Sequence, residues 1–241
     1  MRDLAVGYDG QAVLKHLDFE VERGSTFLIL GGSGCGKSTL LKSMIGLLEP
    51  LAGEVAIEGF EGPGRREAPP PFGVLFQSGA LLGSLTLAQN VALPLATWTD
   101  LGRETIDALV RWKLRLVGLD GFENHLPAEL SGGMRKRAGI ARALALEAPL
   151  LFLDEPSAGL DPPSAADLDA LILTLKQSLG VTAVIVTHEL ASIFALGGTC
   201  ILLDREAGGI VARGDPHDLC QRDDDPRVRS FFRRQPKGGT Q

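Results

Sequence analysis

Apolar positions along this chain follow two rhythms. Short runs bounded by glycine and proline read as strands: LAVGY (4–8), LDFEV (17–21), TFLIL (26–30) and EVAIEG (54–59), the early ones forming an antiparallel layer that leads into a core strand. After TFLIL, the segment TLLKSMIGLLEP places Leu40, Leu41, Met44, Ile45 and Leu48 at helical spacing up to a stop at Pro50. A surface loop, GFEGPGRREAPPPF (59–72), then precedes another buried strand, GVLFQ (73–77). From 78 to 148 the spacing turns helical, most clearly in RETIDALVRWKLRLVGL, and predicts a helical subdomain inserted between core segments 1–77 and 149–241.

The second half repeats the strand rhythm. LLFLDE (150–155) and TAVIVTH (182–188) are compact apolar runs, each closing on an ionisable residue. Between them Asp161 is placed to cap a helix, Pro162 to enter its first turn and Gly180 to stop it, with Leu168, Leu171, Ile172, Leu175 and Leu179 on one face. Strand, helix, strand is a parallel crossover, and ligands gather at the carboxyl ends of such strands. The expected class is α/β.

Charge and cysteine usage narrow the partners. A net charge of −6 argues against nucleic acid, because duplex binding leaves a strongly basic footprint. Cys35, Cys200 and Cys220 have no metal-site or disulfide-framework spacing, which suits a reducing compartment. The N-terminal residues lack the apolar core of a signal peptide, and no run approaches the roughly 18 apolar residues of a membrane span. Membrane work would need another chain to do the spanning.

The residues with chemistry sit at the strand ends. Gly31, Gly32, Ser33, Gly34, Cys35, Gly36, Lys37 and Ser38, followed by Thr39, fit the phosphate-loop pattern G-x-x-x-x-G-K-[ST] between a strand and a helix. Its glycines let backbone N–H groups curl around phosphate oxygens, Lys37 can bridge the β and γ phosphates, and the Ser38 hydroxyl can ligate Mg²⁺. At the end of LLFL, Asp154 can hold the Mg²⁺ shell and Glu155 can polarise an attacking water; the competing reading is an acidic pair on a solvated turn. His188 could contact the γ-phosphate or serve only as a strand-end residue, and Gln77 could ligate Mg²⁺ or the water. Tyr8, the one tyrosine, could stack under an adenine or simply pack.

LSGGMRKR (130–137) carries no group able to do chemistry unaided. Ser131, Gly132 and Gly133 open a helix whose stripe is Met134, Ala138, Ala141 and Ala145, so they form a second helix start aimed at an anion; the alternative is a plain turn. Arg135, Lys136 and Arg137 read as a solvated helix face. In the tail from 214, Phe231 and Phe232 either dock on a neighbouring subunit or belong to a frayed end.

Taken in order, GGSGCGKS, Gln77, LSGG, LLFLDE, SAGLD and His188 resemble the motif series of an ABC transporter nucleotide-binding subunit over nearly the whole chain. The resemblance implies a P-loop NTPase cassette: an α/β RecA-like core with an antiparallel β subdomain and a helical subdomain. It implies an ATPase that pairs head to tail with a second copy, the Ser131–Gly133 loop of one closing over ATP held by the phosphate loop of the other. Lys37, Ser38 and Thr39 would bind phosphate and Mg²⁺, with Gln77 and Asp154 as further metal contacts. Glu155 would be the general base, His188 the switch histidine and Asp161 part of the loop coupling the two sites.

LSGGM, with Met134 where the family has glutamine, is joined by LFQSGAL (75–81), DEPSAGLDP (154–162) and DPRVRSFF (225–232) in resembling the MlaF/Mkl branch. That branch powers Mce-protein systems moving phospholipids or other hydrophobic molecules across the bacterial envelope. The implied partners are a multi-span permease and an Mce-domain protein, and the implied place is the cytoplasmic face of the inner membrane, as a peripheral subunit. An importer of a polar solute and a soluble ABC clamp are the competing expectations.

Overall fold

The computed structural model describes residues 1–60, 68–222 and 224–233, so part of the 59–72 loop and the last residues of the tail lie outside the described residues. Two sheets carry the chain. One is antiparallel, in the order β2 (Gln11–Leu17), β1 (Arg2–Tyr8), β4 (Ala52–Glu54). The other has six strands in the order β5 (Phe72–Leu75), β6 (Leu150–Asp154), β7 (Thr182–Val186), β3 (Thr26–Gly31), β8 (Thr199–Asp204), β9 (Gly209–Gly214). All neighbours in it are parallel except β8 and β9.

Strands β3 and β7 are buried at every residue, which is why they read as unbroken apolar runs: both faces of this parallel sheet are covered. Alternate side chains feed two cores. Leu28, Leu30, Ala183 and Ile185 face a core shared with helices α2 (Leu87–Trp98), α3 (Arg103–Leu116), α4 (Gly132–Ala143) and α5 (Pro162–Leu179). Phe27, Ile29, Val184 and Val186 face a core closed by α1 (Lys37–Met44) and the antiparallel sheet. The α/β expectation and the antiparallel layer are therefore borne out.

Local signals explain most boundaries. The Asp161 carboxylate accepts from the Ser164 amide to cap α5, and Gly180 ends it with φ 65°. Thr86 and Gln89 form a reciprocal capping box that starts α2. Three expectations fail. LDFEV is not a strand beyond Leu17, because a hairpin turns at Asp9–Gly10, both with positive φ, and pairs Gln11–Leu17 with β1; Phe19 leaves the strand and stacks on Phe27 at 5.2 Å. EVAIEG keeps only Glu54 in β4. Helix α1 stops at Met44 rather than running to Pro50, turning through Gly46 at φ 73°.

The chain finishes with α6 (Leu190–Leu196), α7 (Pro216–Leu219) and α8 (Pro226–Phe232). Phe231 and Phe232 are buried, touching one another edge-on at 5.1 Å, with Phe232 6.1 Å from Phe194 of α6. Their apolar surface is already covered inside the chain, so docking on a neighbour is not needed to bury them, and the last few residues, for which a frayed end is the expectation, lie outside the described residues. Among the described residues no helix is long and apolar enough to cross a membrane.

Helix α4 lies directly on β5. A Cβ at Gly73 would fall 2.0 Å from the Ala143 carbonyl oxygen, and one at Gly139 would fall 2.5 Å from Leu75 Cδ1. The clash at Gly73 is with backbone, which cannot rotate away. Gly73→Ala is therefore expected to cost about 1–3 kcal/mol, at the upper end of overpacking, read as a lowered urea midpoint at unchanged slope.

Candidate functional site

Strand β3 delivers the chain into Gly31–Gly36 and α1 takes it away from Lys37. The loop requires glycine at two places. Gly31 has φ 153°, and a Cβ there would meet Cys35 Sγ at 2.4 Å; Gly36 has φ 104°, and its Cβ would meet Leu14 Cδ1 at 2.8 Å. No side chain caps α1, so its first amides remain for a ligand. Ser33, Gly34 and Ser38 are exposed, while Gly32 and Thr39 are half-buried. Buried Lys37 folds back along the loop, its Nζ donating to the carbonyls of Gly31 at 2.9 Å and Gly32 at 3.1 Å.

Two strands away, β6 ends at Asp154 and the ladder to β7 continues one step further, the Glu155 amide donating to the Val186 carbonyl at 2.8 Å. Glu155 then adopts φ 47°, a left-handed conformation that ordinary side chains avoid. Its carboxylate is buried. Oε1 lies 2.7 Å from His188 Nδ1 and 3.7 Å from Lys37 Nζ, while Oε2 has no partner. Asp154 Oδ1 is likewise buried without a partner. Burial pushes the Asp154 carboxyl up, the Glu155 charge adds to this, and Lys37 and Lys136 oppose it. Lys37, Asp154, Glu155 and His188 therefore converge at the carboxyl ends of β3, β6 and β7.

The other expected positions lie around this centre without joining it. Gln77 is exposed in the turn after β5. Ser131 caps α4, its hydroxyl accepting from the Met134 amide at 3.2 Å, and Gly132 and Gly133 form the first turn. No hydrogen bond or ion pair among the described residues links Ser131, Gly132 or Gly133 to the Gly31–Thr39 loop. Asp161 is exposed, and the Ser164 hydroxyl and amide hold its carboxyl below the usual range. Tyr8 is 46% exposed at the end of β1.

Sequence reasoning went wrong on the cations of α4, which are not a solvated face. Lys136 is only 6% exposed and donates to the carbonyls of Gln77 and of Glu155, the latter at 2.9 Å. Arg135 donates to the Leu130 carbonyl and Arg137 to that of Val117. Arg142, unnoticed in the sequence, donates to the Ala80 carbonyl at 2.7 Å. The helix is packed on β5, α2, α3 and α5, so its charged heads find backbone oxygens where water would otherwise be. A second unforeseen feature joins Ser157, just past Glu155, to Ser192 of α6 at 2.9 Å, with Asp169 of α5 also buried and its Oδ1 without a hydrogen-bond partner. Only alternate burial of polar residues on facing helices could have signalled it.

A glycine loop closing a parallel strand, an Asp-Glu pair at a nearby strand end and a histidine against the glutamate make an arrangement suited to nucleoside triphosphate hydrolysis, and the same chain carries a separate Ser-Gly-Gly helix start. The chain belongs to the ABC transporter family, whose profile matches residues 14–158, and it is an ATP-binding ATPase cassette. Among its relatives is the probable ribonucleotide transport ATP-binding protein mkl of Mycobacterium leprae, 38% identical over 96% of this chain and 67% of that protein. The counterpart from Mycobacterium tuberculosis is 39% identical over 95% of this chain and 64% of its own length, so the chain spans about two thirds of these relatives. The intermembrane phospholipid transport system ATP-binding protein MlaF of Escherichia coli K12 is 38% identical over 96% of this chain and 87% of that protein.

Solved structures agree. The ATP-binding cassette MJ0796, in a dimeric post-hydrolysis state bound to ADP and Pi, superposes with a TM-score of 0.76 at 29% identity, covering 89% of this chain and 97% of that one. The cassette cbiO1 of Clostridium perfringens, part of the ABC transporter complex cbiONQ, gives a TM-score of 0.79 at 28% identity, covering 90% of this chain and 88% of that one.

Asp169 offers a test of the buried network. Burial raises its carboxyl pKa above the ordinary 3.8, so the folded chain holds this proton to higher pH than the unfolded chain. Its contribution to stability is fully present below the unfolded value and is lost as pH rises through the folded one. Asp169→Asn should therefore show a flatter dependence of the urea midpoint between about pH 4 and 7, with no loss of stability at the neutral end. A variant whose midpoint follows the parent across that range would remove Asp169 as a source of pH dependence.

Proposed function

We propose that this chain is the ATP-hydrolysing subunit of a transporter moving phospholipid or another hydrophobic molecule across a bacterial envelope, working as a head-to-tail pair. The observation that carries the hydrolytic part is the Glu155 carboxylate: one oxygen is held by His188 and faces Lys37, and the other is buried with nothing bonded to it. A buried, unpartnered carboxylate oxygen beside a phosphate loop is suited to take a proton from an attacking water.

The phosphates of ATP would lie on the amides from Gly31 to Thr39 at the start of α1. Lys37 would exchange its Gly31 and Gly32 carbonyls for β- and γ-phosphate oxygens, a short reach for a side chain already lying along the loop. Tyr8, exposed next to the same layer, would meet the base. His188 would keep the Glu155 carboxylate aimed, and Gln77 would report the γ-phosphate to the surface. The donor set suits Mg²⁺: Asp154 Oδ1 is buried without a partner and the Ser38 hydroxyl is exposed beside Lys37. Ser38, Gln77 and Asp154 would hold the ion, which when bound supplies positive charge against the phosphate oxygens.

Ser131, Gly132 and Gly133 would act on the partner copy's ATP, which accounts for a helix start, free of bulky side chains in its first two positions, that bonds to no phosphate loop in its own chain. Asp161 would sit where the two copies pass. Residues 78–148 would move as a helical subdomain against the core 1–77 and 149–241, and the surface near Gln77 and 78–98 would receive a multi-span permease. Exposed Leu82 and Leu93 in that stretch are in keeping with a contact surface. With no spanning helix among the described residues, the chain would sit peripherally on the cytoplasmic face of the inner membrane. The phospholipid reading is supported by the likeness to MlaF, and an Mce-domain partner follows from the branch resemblance of LSGGM, LFQSGAL, DEPSAGLDP and DPRVRSFF.

Replacing Glu155 by Gln is expected to lower turnover by about two to four orders of magnitude with ATP binding intact, measured by phosphate release and equilibrium nucleotide binding. Undiminished turnover would remove Glu155 from its role. Affinity purification from native membranes in mild detergent is expected to recover a multi-span permease, an Mce-domain protein and phospholipid. A periplasmic solute-binding protein in their place would favour a polar-solute importer, and recovery of the chain alone would favour a soluble clamp.

A further inference from the structure

The β5–β6 ladder ends at the pair Leu75 and Leu153. Beyond it the two strands part, one into the turn of Gln77 and the other through Asp154 into Glu155. Across this opening reaches Lys136 from α4, its Nζ donating to the Gln77 carbonyl on one side and the Glu155 carbonyl on the other. A side chain thus takes over where backbone pairing stops. The same helix adds a second tie one turn and a half further on, where Arg142 donates to the carbonyls of Gly79 and Ala80.

The carbonyl held by Lys136 belongs to a residue in a strained conformation. Glu155 has φ 47°, fixed from its amide side by Val186 and from its carbonyl side by Lys136 and the Ala158 amide. Such a conformation persists only where surrounding bonds over-determine it. The lysine itself is buried, which disfavours its charge, while Asp154 and Glu155 favour it.

We propose that Lys136 is a positioning residue that joins the Gln77 turn to the Glu155 backbone, so that the general base is aimed only while α4, the Gln77 turn and the end of β6 are held together. This rests on the assignment of Glu155 as the base. Its consequence is a route by which a displacement at Gln77 reaches the hydrolytic carboxylate without passing through nucleotide.

The test uses the purified full chain with ATP. Lys136→Met, which keeps the bulk of the stem and removes every donor, is expected to lower kcat about 10- to 100-fold while KM and ATP affinity stay within about threefold. Lys136→Arg, which restores donors and charge, is expected to recover kcat to within about threefold of the parent. Placed on Glu155→Gln, Lys136→Met should add no further loss, because both act through one carboxylate. Should methionine prevent folding, Lys136→Leu, likewise without a donor, carries the same expectation. An unchanged kcat, a loss shared equally by ATP binding, no recovery with arginine, or full additivity with Glu155→Gln would each overturn the proposal. If Glu155→Gln itself turns over normally, the base assignment falls and the proposal with it; if only the Lys136 variants are normal, the proposal falls alone.

Discussion

The hydrogen bond from the Glu155 amide to the Val186 carbonyl carries the β6–β7 ladder one residue past the last strand residue, and the site depends on it. Val186 is itself level with Ile29 of β3, so the register of three parallel strands is transmitted to one point. Because side chains alternate along a strand, a slip of one residue anywhere in this ladder would turn Asp154 or Glu155 to the wrong face. Full burial of β3 and β7 on both sides makes such a slip expensive, which is how an apolar interior comes to specify the separation of Lys37, Glu155 and His188.

Around that point the molecule handles charge in an unusual manner for an acidic chain. Lys37, Lys136 and Arg142 all end on backbone carbonyls, and Lys37 is the one that also faces a carboxylate at ion-pair distance. Bonds to neutral carbonyls satisfy the donors of a desolvated cation without neutralising it. The positive field therefore stays available to a polyphosphate, while the loops that supply the carbonyls are fastened to the elements that supply the cations.

Much of this was legible in the sequence. The phosphate loop could be read because its glycines answer steric demands that no other residue meets, and α5 because Asp161, Pro162 and Gly180 act locally. What escaped depended on tertiary neighbours. The strand Gln11–Leu17 carries Lys15 and His16 on its open side and has no clean alternation, although the Asp9–Gly10 turn before it was a usable signal. Lys136 looks like its neighbours in sequence; only the packing of α4 on β5 decides that it points at backbone rather than water. Phe231 and Phe232 looked unpartnered because Phe194 lies in another helix far earlier in the chain.

Where α4 meets β5, Gly73 brings the strand directly onto the Ala143 carbonyl and Gly139 leaves room for the Leu75 side chain, so little side-chain bulk separates helix from sheet there. So close a seat is suited to act as a pivot rather than a cushion. From Gly139 back to Ser131 is a lever of about 12 Å at 1.5 Å per residue, and a tilt of about ten degrees at the pivot would carry the exposed Ser131 end about 2 Å. A helix seated without padding converts a small rotation of its base into a displacement comparable with the difference between making and losing a hydrogen bond.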